Sequence, residues 1–140
     1  MPVMQPVVLD TNVVLDLWLF QDPQQQWLVQ RLENGAWQWL ATPSMREELA
    51  RVLTYGHLSN WLTRNQMVAE AILARFDEAA TLVAAAPKAL FSCQDPDDQK
   101  FIDLAVAHKA WLFSKDKAVL CMKKRLGTLG CVLNPQARTR

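Results

Sequence analysis

Four short apolar runs set the tightest limit on how this 140-residue chain can fold. "VVL" at 7–9, "WQWL" at 37–40, "WLFS" at 111–114 and "CVL" at 131–133 have strand length, and helical stretches separate them. Residues 23–33 read as a helix that Asn34-Gly35 ends. In "TPSMREELARVL", Thr42 is an N-cap and Pro43 a first-turn residue, for a helix running to about Tyr55 with Gly56 as its stop. Trp61, Val68, Ile72 and Ala79 recur at helical spacing in what reads as one long helix over 59–83, broken by "AAAPKALF". "DPDDQKFIDLAVAHKA" opens another, with Asp95 as N-cap and Pro96 in the first position, and a short basic helix follows Asp116 to about Arg125. Strands alternating with helices imply an α/β class with a mainly parallel sheet. No linker divides the chain, so residues 1–140 are expected to be a single domain with a basic tail from about 134 to 140.

In open parallel sheets, ligands bind beyond the carboxyl ends of the strands. Asp10 follows "VVL" and Asp116 follows "WLFSK", so two acids stand at such ends. Helix phase, at about 100° per residue, sorts the others. With Asp98 at zero, Phe101, Ile102 and Ala105 fall within about 60°, so Asp98 heads the apolar stripe. Asp97 lies about 100° away and Asp103 about 140° away, which leaves Asp103 to solvent. Glu48 shares the stripe of Met45, Leu49 and Val52, whereas Glu47 points outward.

Each acid alone has an ordinary explanation, as a helix cap, a paired core acid or a surface turn. Four that converge would repel and raise one another's pKa unless a cation neutralised them. An all-oxygen site of that kind suits Mg²⁺ or Mn²⁺. Other metal chemistry finds little support. His57 and His108 have no ligand-spaced neighbours, and three cysteines without a C-x-x-C pair read as buried small hydrophobes. Residues 1–108 carry 7 Lys/Arg against 13 Asp/Glu, and residues 109–140 carry 8 against Asp116 alone. That split suits either cations held beside phosphates or a solvated basic tail. No run approaches the ~20 apolar residues of a membrane span, and the start has no signal-peptide pattern, so a cytoplasmic protein is expected.

"VVLDTNVV", "SMREELARVL", "DPDDQKFIDLAVA" and "LFSKDKAVL" together resemble, in order, the signature segments of PIN-domain ribonucleases. The likeness spans about Val7 to Leu133 and is nearest to the bacterial VapC-like subgroup, the toxin components of toxin-antitoxin systems. The resemblance implies a three-layer α/β/α sandwich on a mainly parallel sheet of four to five strands. It also implies a catalytic metal site for Mg²⁺ or Mn²⁺ at Asp10, Glu48, Asp98 and Asp116, with Asn12 and Ser114 supporting it from behind. Single-stranded RNA would be cut to 5′-phosphate and 3′-hydroxyl products, a cognate antitoxin would be the protein partner, and a homodimer the assembly. Two positions depart from the pattern: Ala118 replaces a further Asp common in relatives, and Lys115 replaces a Gly or Arg.

Lys115 and Lys117 are placed either to contact RNA phosphates or simply to be solvated. The six tryptophans sit mostly within apolar runs, which favours packing in a core or interface over base stacking. A non-catalytic PIN-like module that binds RNA or a partner is the alternative, with Ala118 as its sign. An aspartyl-phosphate enzyme fits less well. A dehalogenase-type phosphatase needs a second Asp where Asn12 stands, and a receiver domain has no use for Glu48 on a helix.

Overall fold

In the computed structural model, which describes residues 4–135, the first apolar run lies at the centre of the sheet. Strand β1 (Gln5–Leu9) pairs with β2 (Trp37–Ala41) on one side and β4 (Trp111–Phe113) on the other. β3 (Ala80–Leu82) extends the sheet beyond β2, and β5 (Val132–Leu133) extends it beyond β4. The order is β3-β2-β1-β4-β5, and every pair is parallel. Such sheets are covered on both faces, which is why the strands read as unbroken apolar runs.

Register divides the two faces. Val7 lies opposite Trp39 and Trp111, and Leu9 opposite Phe113, so these side chains share one side. Helices α1 (Thr11–Trp18), α2 (Gln26–Glu33) and α5 (Ala69–Ala79) cover it with aromatics. Trp18 stacks on Trp39 at 5.3 Å, Phe76 meets Trp39 edge-on at 4.9 Å, and Trp27 meets Trp37 at 5.8 Å. On the other face α6 (Gln99–His108) packs against β1 and β4. The result is a three-layer α/β/α sandwich, completed by α3 (Pro43–Val52), α4 (Gly56–Arg64), α7 (Lys117–Leu120) and α8 (Lys123–Thr128). The chain winds from β1 through β2 to β3 in one direction and returns to β4 on the far side. The strand order therefore reverses between β1 and β4, the place where such sheets bind ligands. Among the described residues no helix is long and apolar enough to cross a membrane.

Several elements differ from the sequence reading. α1 was unread because Val13 to Leu19 are all buried, which removes the one-sided period that marks a surface helix. The segment read as one helix over 59–83 is α4, a break where Gln66 adopts φ 56°, α5, and then β3. Ala80 and its neighbours favour a helix intrinsically, but pairing of Ala80, Thr81 and Leu82 with Trp39, Leu40 and Ala41 overrides that preference. α3 ends at Val52, and Gly56 begins α4 instead of stopping α3. The basic helix is two short ones, α7 and α8. Cys93 and Cys131 are buried as expected, but Cys121 is exposed. Of the basic tail, only Asn134 and Pro135 fall within the described residues.

Asp103 is also more than solvated. Its Oδ1 accepts from the Ala89 N–H at 2.8 Å and from Gln99 Nε2 at 2.7 Å, tying the irregular stretch after β3 to α6. Gln99 holds the same stretch through the Cys93 N–H at 2.6 Å. Asp103→Ala strands a part-buried N–H, so a loss of about 1–3 kcal/mol is expected. Faster limited proteolysis within residues 83–93 is the accompanying readout, and unchanged cleavage there would show that the tie is idle.

Candidate active site

β1 delivers Asp10 to the carboxyl edge of the sheet, where it also caps α1. Oδ1 accepts from the Val13 N–H at 2.9 Å, and Oδ2 accepts from the Ser114 hydroxyl. Ser114 follows β4 and is itself held from the β5 side. Its N–H donates to Asn134 Oδ1 at 2.9 Å, and Asn134 Nδ2 donates to the Ser114 carbonyl at 2.7 Å. Asp10 is only 3% exposed. Burial raises its pKa, the bonds from Ser114 and Val13 oppose that rise, Asp116 adds to it and Lys115 lowers it. Each of its oxygens accepts one bond, so lone pairs remain free.

Three further aspartates gather beside it. Asp116 caps α7 through the Ala118 N–H at 2.8 Å, and its own N–H donates to Ser114 Oγ at 3.1 Å. Asp95 caps the turn Pro96–Asp98, accepting from the Asp97 N–H at 3.0 Å. Asp98 closes that turn at the head of α6. One carboxylate oxygen from each of Asp95, Asp98 and Asp116 lies within 4.8 Å of the others. Among the described residues Asp98 Oδ2 is shielded from solvent and accepts no bond from an N–H or hydroxyl donor, its carboxyl neighbour being that of Asp116. The Asp98 carboxyl is pushed up to about 7, first by burial and then by the negative charges of Asp116 and Asp95. Oxygen donors, mutual repulsion and an orphaned buried acceptor together fit a hard divalent cation.

Glu48 reaches the same place from α3. Oε2 accepts from the Thr11 hydroxyl, and Oε1 lies 2.6 Å from Lys100 Nζ. A cleft of about 190 Å³ is lined by Asp10, Glu48, Asp95, Asp97, Asp98 and Asp116, with Thr11, Asn12, Val52 and Phe101. A larger cavity of about 350 Å³ lies nearby, between Ser114 and α2, but Asp16 is its one acidic wall residue. The acids gather in the smaller cleft.

Residues 6–118 match the family model of the PIN domain. The chain belongs to the PIN-domain family. No curated protein sequence matches it. PIN domains imply nuclease-type activity on RNA and commonly bind divalent metals.

The PIN cleft brings together all four acids singled out in the sequence, Asp10, Glu48, Asp98 and Asp116. Ser114 bonds Asp10 directly. Asn12 lines the cleft but is exposed, and among the described residues its side chain makes no bond to Asp10. It sits at the second position of α1, and the cap bond to Asp10 comes from the Val13 backbone instead. Lys115 pairs with the buried Asp16. Three residues were missed. Asp95 had been read only as a cap, though a carboxylate can cap with one oxygen and serve a site with the other. Thr11 stands beside Asp10 in "DTN" and gave a signal. Lys100 gave none, because its contact joins residues 52 positions apart.

Proposed function

We propose that the chain is a single PIN domain acting as a metal-dependent endoribonuclease on single-stranded RNA, in the cytoplasm, as the toxin of a toxin-antitoxin pair. One observation carries the catalytic reading: carboxylate oxygens of Asp95, Asp98 and Asp116 lie within 4.8 Å of one another where the sheet reverses its strand order. Asp98, Asp116 and Asp95 would hold Mg²⁺ or Mn²⁺, with Asp10 adjoining them. When bound, the ion supplies a nucleophilic water at neutral pH and neutralises charge developing on the phosphate. The chain's own residues set the geometry. Ser114 and the Val13 N–H lock both Asp10 oxygens, and the Ala118 N–H fixes Asp116. A backbone phosphate can enter such a cleft most freely from a single strand, whose bases are unpaired. The toxin role, the antitoxin partner and a homodimer rest on the resemblance of the four motif segments to the toxin subgroup.

Purified protein incubated with defined single-stranded RNAs tests this. Internal cleavage to 5′-phosphate ends is expected with Mn²⁺ and none with EDTA. Asp10→Asn is expected to lower the rate by about 10- to 100-fold, the order of loss for removing a group that supports a metal centre. The binding-module alternative draws on Ala118, which leaves the cleft one acid short of the common pattern. RNA binding without cleavage, equal in the wild type and Asp10→Asn, would favour it.

A further inference from the structure

We propose that Lys100 is a built-in counter-cation that occupies Glu48, so that the cleft loads one divalent ion, on its Asp98 side, and not two. The inference rests on reading the cleft as a metal centre and deepens it by assigning the ion count.

Both oxygens of Glu48 are already engaged. The Lys100 ammonium sits 2.6 Å from Oε1, and the Thr11 hydroxyl donates to Oε2. Lys100 is anchored a second time by the Asp97 carbonyl at 2.7 Å, and its ammonium lies 4.9 Å from the centre of the Phe101 ring. The ion pair is shielded, with side-chain exposures of 28% for Lys100 and 15% for Glu48. An ion binding Glu48 must either share its oxygens with an ammonium 2.6 Å from Oε1, whose like charge repels it, or displace that ammonium and leave Lys100 without its carboxylate. Breaking a shielded pair costs far more than breaking a surface pair.

The other side of the cleft offers the opposite situation. Among the described residues Asp98 Oδ2 accepts no N–H or hydroxyl, and one oxygen each of Asp95, Asp98 and Asp116 already lie close together. A cation arriving there relieves repulsion and displaces no partner of Asp98 Oδ2. Position 118, where another acid could have recruited a second ion, is Ala118, whose N–H is spent on Asp116. Six acids line the cleft, and the protein supplies one of the neutralising charges itself.

Counting ions decides the matter without reference to RNA. The full chain is stripped of metal and titrated with Mn²⁺, following the free-ion signal by electron paramagnetic resonance, with circular dichroism confirming that each variant is folded. The wild type is expected to take up one ion per chain. Glu48→Gln is expected to keep that ion with affinity within about threefold, while Asp98→Asn weakens it by about tenfold or more, as loss of a ligand does. Lys100→Met frees Glu48 and is expected to admit a second, weaker ion, whereas Lys100→Arg stays at one. Two ions in the wild type, or loss of the ion in Glu48→Gln as severe as in Asp98→Asn, overturns the assignment of Lys100 and leaves the metal-centre reading standing. No Mn²⁺ uptake by the wild type would overturn both.

Discussion

Asp98→Asn is expected to abolish Mn²⁺-dependent cleavage and, in the same molecule, to raise the melting temperature of the metal-free protein at pH 8. The two effects have one cause. In the folded chain the Asp98 carboxyl is pushed from its ordinary 3.8 up to about 7, by burial first and by Asp116 and Asp95 next. A carboxyl whose folded pKa lies above its unfolded one binds its proton more tightly in the native state. The stability this provides is present below about pH 4 and is lost as the pH rises through about 7. Asparagine has no proton to lose. Metal-free wild type should therefore melt at falling temperatures between pH 4 and pH 8, and Asp98→Asn should show a flatter profile. At pH 8 the variant should melt higher by about 3 °C or more. Mn²⁺ should reverse the order, because an ion that binds the native state stabilises it by mass action and favours the ionised carboxyl. Melting curves at pH 5 and pH 8, with EDTA and with Mn²⁺, supply the comparison. If the variant melts lower than wild type in EDTA at both pH values, Asp98 is an ordinary structural acid and the repulsion argument fails.

The same contest between repulsion and pairing explains what could be read along the chain and what could not. Asp10 and Asp116 could be placed together because strand ends in a parallel sheet share one edge. Glu48 could be added because a helix of known phase must turn its apolar stripe inward, and Asp98 by carrying the phase of α6 back one residue, although Asp98 ends the tighter turn Pro96–Asp98 that precedes that helix. Met45 and Leu49 are indeed buried, as are Phe101, Ile102 and Ala105. These inferences need only local periodicity and one rule about sheets. Lys100 fails that test, because a lysine next to an apolar stripe reads as solvated until α3 and α6 are brought together. β3 fails for a related reason. Its strand pairing comes from β2, 41 residues earlier, and in "EAATLVAAA" Thr81 and Val83 alone do not outweigh the helical propensity of the alanines until that edge exists. Asp95 shows a third kind of blindness. One good explanation, the N-cap, concealed that Asp95 also stands with a carboxylate oxygen within 4.8 Å of Asp98 and Asp116.

Trp39→Ala is expected to be the most damaging single substitution for stability, and Trp39→Phe nearly harmless. Trp39 is 2% exposed, stacked on Trp18 at 5.3 Å and met edge-on by Phe76 at 4.9 Å, so it joins β2 to both α1 and α5. Truncating such a residue leaves a cavity that its two rigid aromatic neighbours, Trp18 and Phe76, cannot close, at a cost of about 3–5 kcal/mol. For a chain of this size that corresponds to a fall in melting temperature on the order of 10 °C. The indole N–H, however, is buried without a partner among the described residues. Phenylalanine keeps the aromatic contact and removes an unsatisfied donor, so the loss of area and the gain in polar satisfaction offset each other to within about 1.5 kcal/mol. Base stacking would make a different demand, since RNA could use Trp39 only if the ring reached solvent. RNA affinity of folded Trp39→Phe should therefore match wild type, measured by fluorescence anisotropy beside thermal melts. A large loss of affinity with an unchanged melting temperature would move this tryptophan from the core to the substrate path.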